Sequence, residues 1–233
     1  MVVQWPVHRA LPGESIIPPE LRLYQLPLLT QQQRPGMIHS NALAALALGF
    51  SFGSELAEDK AAWSQWRGPD GTGVSLKTDW ASEGKEDHLW ISDVGLGYST
   101  VVIGDGLLYT MGHDVPDGLD VVYALDAMTG EEAWTMAFES KIWNTAHEGG
   151  TVNTPTLDGD HLYVLNHEGN LFCLEASTGE DLWHRFLVDE NELTLPRWGM
   201  RGSPLAAGKN LILNVGKVMS VDKKTGESNW ITT

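Results

Sequence analysis

From Ser99 onward, apolar and β-branched positions fall in short runs separated by glycine-bearing turns. The runs form three sets of four. The first runs are "STVVI" (99–103), "NTPTL" (153–157) and "SPLAA" (203–207), each followed by a tight turn, "GDG", "GDH" or "GKN". The second are "LLYTM", "LYVLN" and "LILNV", and the third "VVYALD", "LFCLE" and "VMSVD". An acidic-x-x-Thr-Gly turn then leads to a fourth run that opens with tryptophan: "WTMAF", "WHRFL" or "WITT". Alternating runs of this length between glycine turns predict antiparallel meanders of four strands each.

The sets are copies of one unit. Trp134, Trp183 and Trp230 are spaced by 49 and 47 residues, and the same offsets relate Gly130, Gly179 and Gly226. Ala124, Cys173 and Ser220 stand at the same offsets, as do Asp126, Glu175 and Asp222. A period of this size indicates a solenoid, propeller or array, and four-stranded sheets at this period are propeller blades. One sheet cannot bury both its faces alone, so neighbours must stack. The tryptophan is expected to lie on the small residue (Ala124, Cys173 or Ser220) of the adjacent blade. The glycines are expected to supply the positive φ that closes each hairpin. "HLWISDV" (88–94) reads as a lone fourth strand, with Trp90 standing 44 residues before Trp134.

The pattern Ala-x-Asp-x-x-Thr-Gly-x-x-x-Trp, complete at Ala124–Trp134, resembles the tryptophan-docking motif of quinoprotein alcohol dehydrogenases and the wider PQQ-like repeat propellers, which include BamB-like proteins. The second copy departs from it at Cys173 and Glu175, and the third at Ser220. "WSQWRGPDGTGVS" (63–75) and "PRWGMRGSPL" (196–205) resemble secreted bacterial members of the same repeat family. The resemblance covers residues 63–233. It implies an all-β partial propeller, three blades plus one strand of another, as a fragment of a ring of seven or eight blades. It also raises pyrroloquinoline quinone (PQQ) with calcium as a cofactor, with no residue of this chain established for it. Such enzymes use an Asp base, calcium next to the quinone and, in several groups, adjacent cysteines. Cys173 is the single cysteine here, so a vicinal pair cannot form.

The N-terminal quarter differs in kind. Residues 1–36 carry six of the eleven prolines and no sustained period, and they read as a disordered or mis-started leader. Residues 37–57 contain an apolar run, Ala42 to Phe52, too short to span a bilayer as a helix and of the length of a signal-peptide core. Its flank offers His39 and no Lys or Arg. Export to the periplasm or the extracellular space is the expectation. Residues 58–87 read as an extension leading into the propeller at 88–233, with repeats at about 98–138, 152–187 and 201–233.

Formal net charge is −16, from 15 Lys and Arg against 31 Asp and Glu, and residues 1–57 sum to zero. The acidic body argues against nucleic acid and anionic membranes as partners. No metal site is expected, because the histidines lack zinc-ligand spacing. Asp114, Asp117 and Asp120 read as a solvated acidic turn rather than a calcium loop.

In a meandering blade, the turns from strand one to two and from three to four share one rim. The other rim carries the connections "GHDVPDGLD" (112–120), "ESKIWNTAHEGGTV" (139–152) and "VDENELTLPRWGMR" (188–201). Long loops on a rigid scaffold are where binding residues concentrate. A protein or small-molecule ligand is therefore expected on that rim. Asn153 and Arg201 are the candidates at the channel mouth, Trp143 and Trp198 could stack on a flat ring, and His147 and Glu148 could add polar contacts. By the resemblance, this is the side on which quinoprotein enzymes hold their cofactor. The residues themselves carry no catalytic constellation. The leading expectation is a non-catalytic binding or scaffold module; the alternative is part of a PQQ-dependent dehydrogenase of alcohols or polymers.

Overall fold

The computed structural model describes residues 63–75, 88–144 and 148–233. The leader at 1–36 and the signal-peptide reading at 37–57 lie outside the described residues, as does His147. Three four-stranded antiparallel sheets follow one another along the chain. The first contains β1 (Val102–Gly104), β2 (Leu107–Asp114), β3 (Leu119–Asp126) and β4 (Glu132–Glu139). The second contains β5 (Thr156–Asp158), β6 (His161–Leu165), β7 (Asn170–Glu175) and β8 (Asp181–Phe186). A single helical turn, α1 (Leu187–Glu190), precedes β9 (Leu205–Ala207), β10 (Asn210–Asn214), β11 (Val218–Asp222) and β12 (Ser228–Ile231). Within each sheet the strands pair in chain order, so each is a meander.

Stacking explains the near-continuous apolar runs. In the second blade, Leu162, Val164, Phe172 and Leu174 point into the core shared with the first blade, alongside Tyr109, Met111 and Val122. Tyr163, Leu165, Leu171 and Cys173 point the other way, into the core shared with the third blade's Leu211, Leu213 and Met219. A sheet buried on both faces needs apolar side chains at successive positions, which masks the period-2 alternation.

The repeated turn explains how the blades join. Ala124 pairs with Trp134, Cys173 with Trp183 and Ser220 with Trp230, each across strands three and four of one blade. This corrects the expected shelf: the small residue sits beside the indole in its own blade. The register then slips by one residue, leaving Ala133, Leu182 and Asn229 as the extra residues of a bulge. A bulge bends and twists its strand, and here it turns the tryptophan outward onto the next blade. The surface it meets there is a turn glycine. A Cβ on Gly130 would stand 2.5 Å from the Trp90 ring, on Gly179 2.5 Å from Trp134, and on Gly226 2.7 Å from Trp183. These glycines have φ of +74°, +73° and +70°, so both the backbone conformation and the close approach demand glycine.

The indole N–H completes each joint. Trp90 Nε1 donates to the Ala127 carbonyl at 3.1 Å, Trp134 to Ala176 at 2.9 Å and Trp183 to Lys223 at 3.1 Å. Tyr109 and Tyr163 donate their hydroxyls to the carbonyls of Ala176 and Lys223 as well, at 3.1 and 3.4 Å. Trp230, with no further turn glycine against it among the described residues, is 48% exposed, where Trp134 is 9% exposed.

Residues 88–94 form no strand, which corrects the lone-strand expectation, although Trp90 docks as a fourth-strand tryptophan does. The segment instead closes on the blade through a bridge of Leu96 to His113. Gly112 makes room for it: a Cβ there would overlap the Val94 carbonyl. At the innermost edge, Trp63 bridges Ile103, and the Ser64 carbonyl accepts the Leu157 N–H at 2.8 Å. Residues 63–64 thus strap the inner strands of two blades together.

Candidate functional site

The inner strands are joined by hydroxyls ahead of each first strand. Thr100 Oγ1 lies 3.0 Å from Thr154 Oγ1, and Ser203 Oγ accepts the Thr154 N–H at 2.9 Å. Asn153, beside them, is 1% exposed and donates from Nδ2 to the carbonyls of Met200 (3.1 Å) and Gly202 (2.9 Å) of the next blade. Both its N–H groups are therefore spent, and its Oδ1 is buried without a hydrogen-bond partner.

The loop that Asn153 grips carries Trp198 and Arg201. Arg201 Nε donates to the Trp198 carbonyl at 2.5 Å, and Trp198 is 41% exposed with the Arg197 guanidinium 5.0 Å above its ring. Trp143, from the preceding connection, donates its indole N–H to the Arg197 carbonyl at 3.0 Å. The two long connections are thus tied to each other, and the structure brings Asn153, Trp143, Trp198 and Arg201 into one loop cluster. Glu148 is exposed and makes no part of it.

His167 is a member that sequence reasoning passed over. It lies in the short β6–β7 turn and is 2% exposed. Its carbonyl accepts the Met200 N–H at 2.8 Å, and its imidazole meets Trp143 edge-on with ring centres 5.9 Å apart. Neither ring nitrogen makes a well-formed hydrogen bond, although the Lys141 backbone acts on the imidazole as a weak one. Burial pulls the imidazole below its usual range, against the opposing pull of Asp120, Glu168 and the Lys141 backbone.

Next to it, between the first two blades, lies a satisfied buried network. His113 Nδ1 and Asp120 Oδ1 are 2.8 Å apart. Asn166 Nδ2 donates to Asp120 Oδ2 and Ser140 Oγ, both at 3.2 Å, and Asn166 Oδ1 accepts the N–H groups of Glu168 and Asn170 at 3.0 Å. Asp120 is fully buried, which corrects its reading as part of a solvated turn. The same region shortens the loop expected at 112–120: pairing continues from His113–Asp120 to Asp114–Leu119, leaving only 115–118 unpaired. Polar residues at a strand end look like loop until their buried partners, 46 and 26 residues away from Asn166, are known.

PQQ with calcium, raised by the family resemblance, needs carboxylate ligands near the quinone. No group of three or more His, Cys, Asp or Glu side chains among the described residues is placed to hold a metal ion. Cys173 is buried between blades, with its thiol pushed up to about 12 by burial. The described residues do not fit that pair, and no step is derived through it. No helix among them is long and apolar enough to cross a membrane.

The family profile described as outer membrane protein assembly factor BamB matches residues 80–233. Quinohemoprotein alcohol dehydrogenase of Comamonas testosteroni is 29% identical over 161 residues, which is 60% of this chain and 22% of that protein. Outer membrane protein assembly factor BamB of Shewanella oneidensis is 28% identical over 149 residues, 61% of this chain and 34% of that protein. The crystal structure of the Comamonas testosteroni dehydrogenase aligns with a TM-score of 0.44 and 23% identity, over 58% of this chain and 20% of that one. The chain thus spans between about a fifth and a third of the length of the curated relatives it matches.

Proposed function

Because this chain belongs to the PQQ-like repeat family, the propellers of quinoprotein alcohol dehydrogenases and of the assembly factor BamB, we propose that it is a non-catalytic binding or scaffold module that works outside the cytoplasm. The long-loop rim is the working surface. One observation carries this reading: several of the rim's polar side chains fix the loops to one another. Asn153 clamps Met200 and Gly202, Trp143 clamps Arg197, and Asn166 joins Asp120 to Ser140. Loops held this way form a rigid, preorganised surface that loses little entropy when something binds. The small turns of the opposite rim offer no comparable surface.

Export is proposed on the apolar segment at 37–57 and on the outer-membrane role in the name of the BamB relatives. A photo-crosslinking residue at position 197 tests the surface, with one at 160 on the short-turn rim as control. Position 197 is expected to give discrete adducts in cell envelopes, and position 160 none. Adducts at 160 alone would move the working surface to the other rim.

The dehydrogenase reading keeps the support of the Comamonas testosteroni relative. Titration with PQQ and Ca²⁺ separates the two. Saturable spectral binding with dye-coupled oxidation of a primary alcohol would favour the enzyme and displace the scaffold.

A further inference from the structure

We propose that the exposed face of the third blade docks the first blade of a second copy of this chain, and that two copies joined in this way close a six-bladed ring, three blades from each. The inference goes beyond the rim reading and does not depend on it. The third blade turns Leu211, Leu213, Met219 and Val221 toward the second blade. Its opposite face carries Leu205, Val218 and Trp230, which are 48%, 43% and 48% exposed. Trp230 pairs with Ser220 as Trp134 pairs with Ala124 and Trp183 with Cys173, so it stands where a docking indole stands. The other joints say what covers such an indole: a turn glycine at positive φ, and the carbonyl three residues before it. Gly130 follows Ala127, Gly179 follows Ala176 and Gly226 follows Lys223 at that spacing.

The described residues hold three such hollows, and the chain's own indoles fill them unequally. Trp134 and Trp183 arrive on the fourth strand of a complete sheet. Trp90 arrives on residues 88–94, which form no strand, and no backbone hydrogen bond among the described residues holds residues 89–92 to a sheet. Leu89 and Ile91, on either side of it, are 78% and 68% exposed. The Gly130 hollow is therefore the one that a competing indole can enter. Behind it lies the apolar face that such a blade needs: Leu108 and Leu125, with Val101, Ile103 and Tyr123 around them. Trp230 of a second copy brings a sheet face with it, so its entry takes Leu205 and Val218 out of water as well as the indole. Trp90 gives up its place, while the Leu96–His113 bridge keeps the far end of its segment on the first blade. The joint stays reversible. Ile212 stands across from Ser220 where Tyr109 and Tyr163 stand across from Ala124 and Cys173, so it lacks the hydroxyl that the tyrosines add. A head-to-tail contact either closes into a ring or runs on as a filament. Propellers close at about four to eight blades, so two copies reach a closing number and a third overshoots it.

The test is sedimentation equilibrium of the full chain across micromolar to near-millimolar concentration. A dimer and nothing larger is expected, and it should tighten as salt screens the net charge of −16 on each copy. Trp230→Ala should raise the dimer's Kd about tenfold or more. Leu205→Asp should do the same by setting a carboxylate in the joint. Both residues are about half exposed in one copy, so the Tm of the dilute monomer should hold in both variants. Trp90→Ala should lower the Kd, because it removes the competing indole. If that variant does not fold, Trp90→Phe, which keeps an apolar ring and drops the bond to Ala127, should lower it in its place. Leu182→Asp, at a 43% exposed position on β8 away from the joint, should leave the dimer intact. A monomer at every concentration overturns the proposal. So do a dimer that neither Trp230→Ala nor Leu205→Asp weakens, a dimer that loss of Trp90 weakens, and oligomers that grow past two copies with concentration.

Discussion

Each blade boundary depends on one indole doing two things: it fills the hollow over a glycine, and it caps a carbonyl. Trp134 separates them by substitution. Trp134→Phe keeps much of the apolar contact and loses the N–H to Ala176, whose carbonyl retains the Tyr109 hydroxyl. A loss of about 1–2 kcal/mol in urea unfolding is expected. Trp134→Ala removes the contact as well, and about 3–5 kcal/mol should be lost. Equal losses from the two would mean that the hydrogen bond alone secures the joint. The tyrosines add a pH dependence. Burial, and then Asp105, raises the Tyr109 hydroxyl from 10.0 to about 12. A group whose folded pKa is raised contributes stability that is fully present below its unfolded value and lost as pH rises toward the folded one. Tm should therefore fall between pH 10 and 12, with the Tyr109 share of phenolate absorbance, read as the difference from Tyr109→Phe, appearing together with unfolding, and Tyr109→Phe should lessen that fall. Tyr109 phenolate formed well before unfolding, in that difference, would contradict it.

The turn between strands three and four is the element that the repeat copies, and its copies are unequal. Asp126 Oδ1 accepts the N–H groups of Met128 and Thr129 at 2.9 and 2.8 Å, and Asp222 Oδ1 does the same for Lys224 and Thr225 at 2.9 and 3.2 Å. Glu175 is one methylene longer, and its carboxylate accepts the Ser177 hydroxyl at 3.3 Å instead. Glu175→Asp should restore the Asx geometry and stabilise the chain by about 0.5–1.5 kcal/mol, read from the urea midpoint. Destabilisation would show that the second turn is built around the longer side chain. These turns, with their glycines and tryptophans, were legible in the sequence because the repeat prints them three times. What the indole lies on was not: Ala124, Cys173 and Ser220 recur at the right spacing, but spacing does not say whether a neighbour is across the strand or across the blade. The candidate site was half legible. Aromatic and polar residues in long connections marked Trp143, Trp198, Asn153 and Arg201. His167 gave no signal, since one histidine in a four-residue turn carries no pattern, and its burial comes from the next blade's loop at Gly199 and Met200.

Across the whole molecule the net charge of −16 belongs to residues 58–233, which include all three blades. Charge of one sign on a compact body repels itself, and salt screens it within a Debye length of about 8–10 Å at physiological ionic strength. Tm should rise as sodium chloride is brought from millimolar to physiological levels, and a flat or falling Tm would show that opposite charges are paired closely enough to cancel. Arg185 with Glu190 and Lys223 with Asp158 pair only a small share of the acidic side chains, which favours the rise.

The joints between blades all run in one direction. The donor indole always comes earlier in the chain than the glycine and carbonyl that receive it: Trp90 before Gly130, Trp134 before Gly179, Trp183 before Gly226. During synthesis, a blade that has left the ribosome therefore has an unsealed tryptophan until the next turn emerges, about 45 residues later. At roughly 5–20 residues per second, that wait lasts roughly 2–10 s per blade. The growing end thus carries one exposed indole at a time, handed forward from blade to blade. A slowed codon stretch just after a tryptophan would lengthen the interval in which a chaperone, or an aggregating neighbour, can reach it.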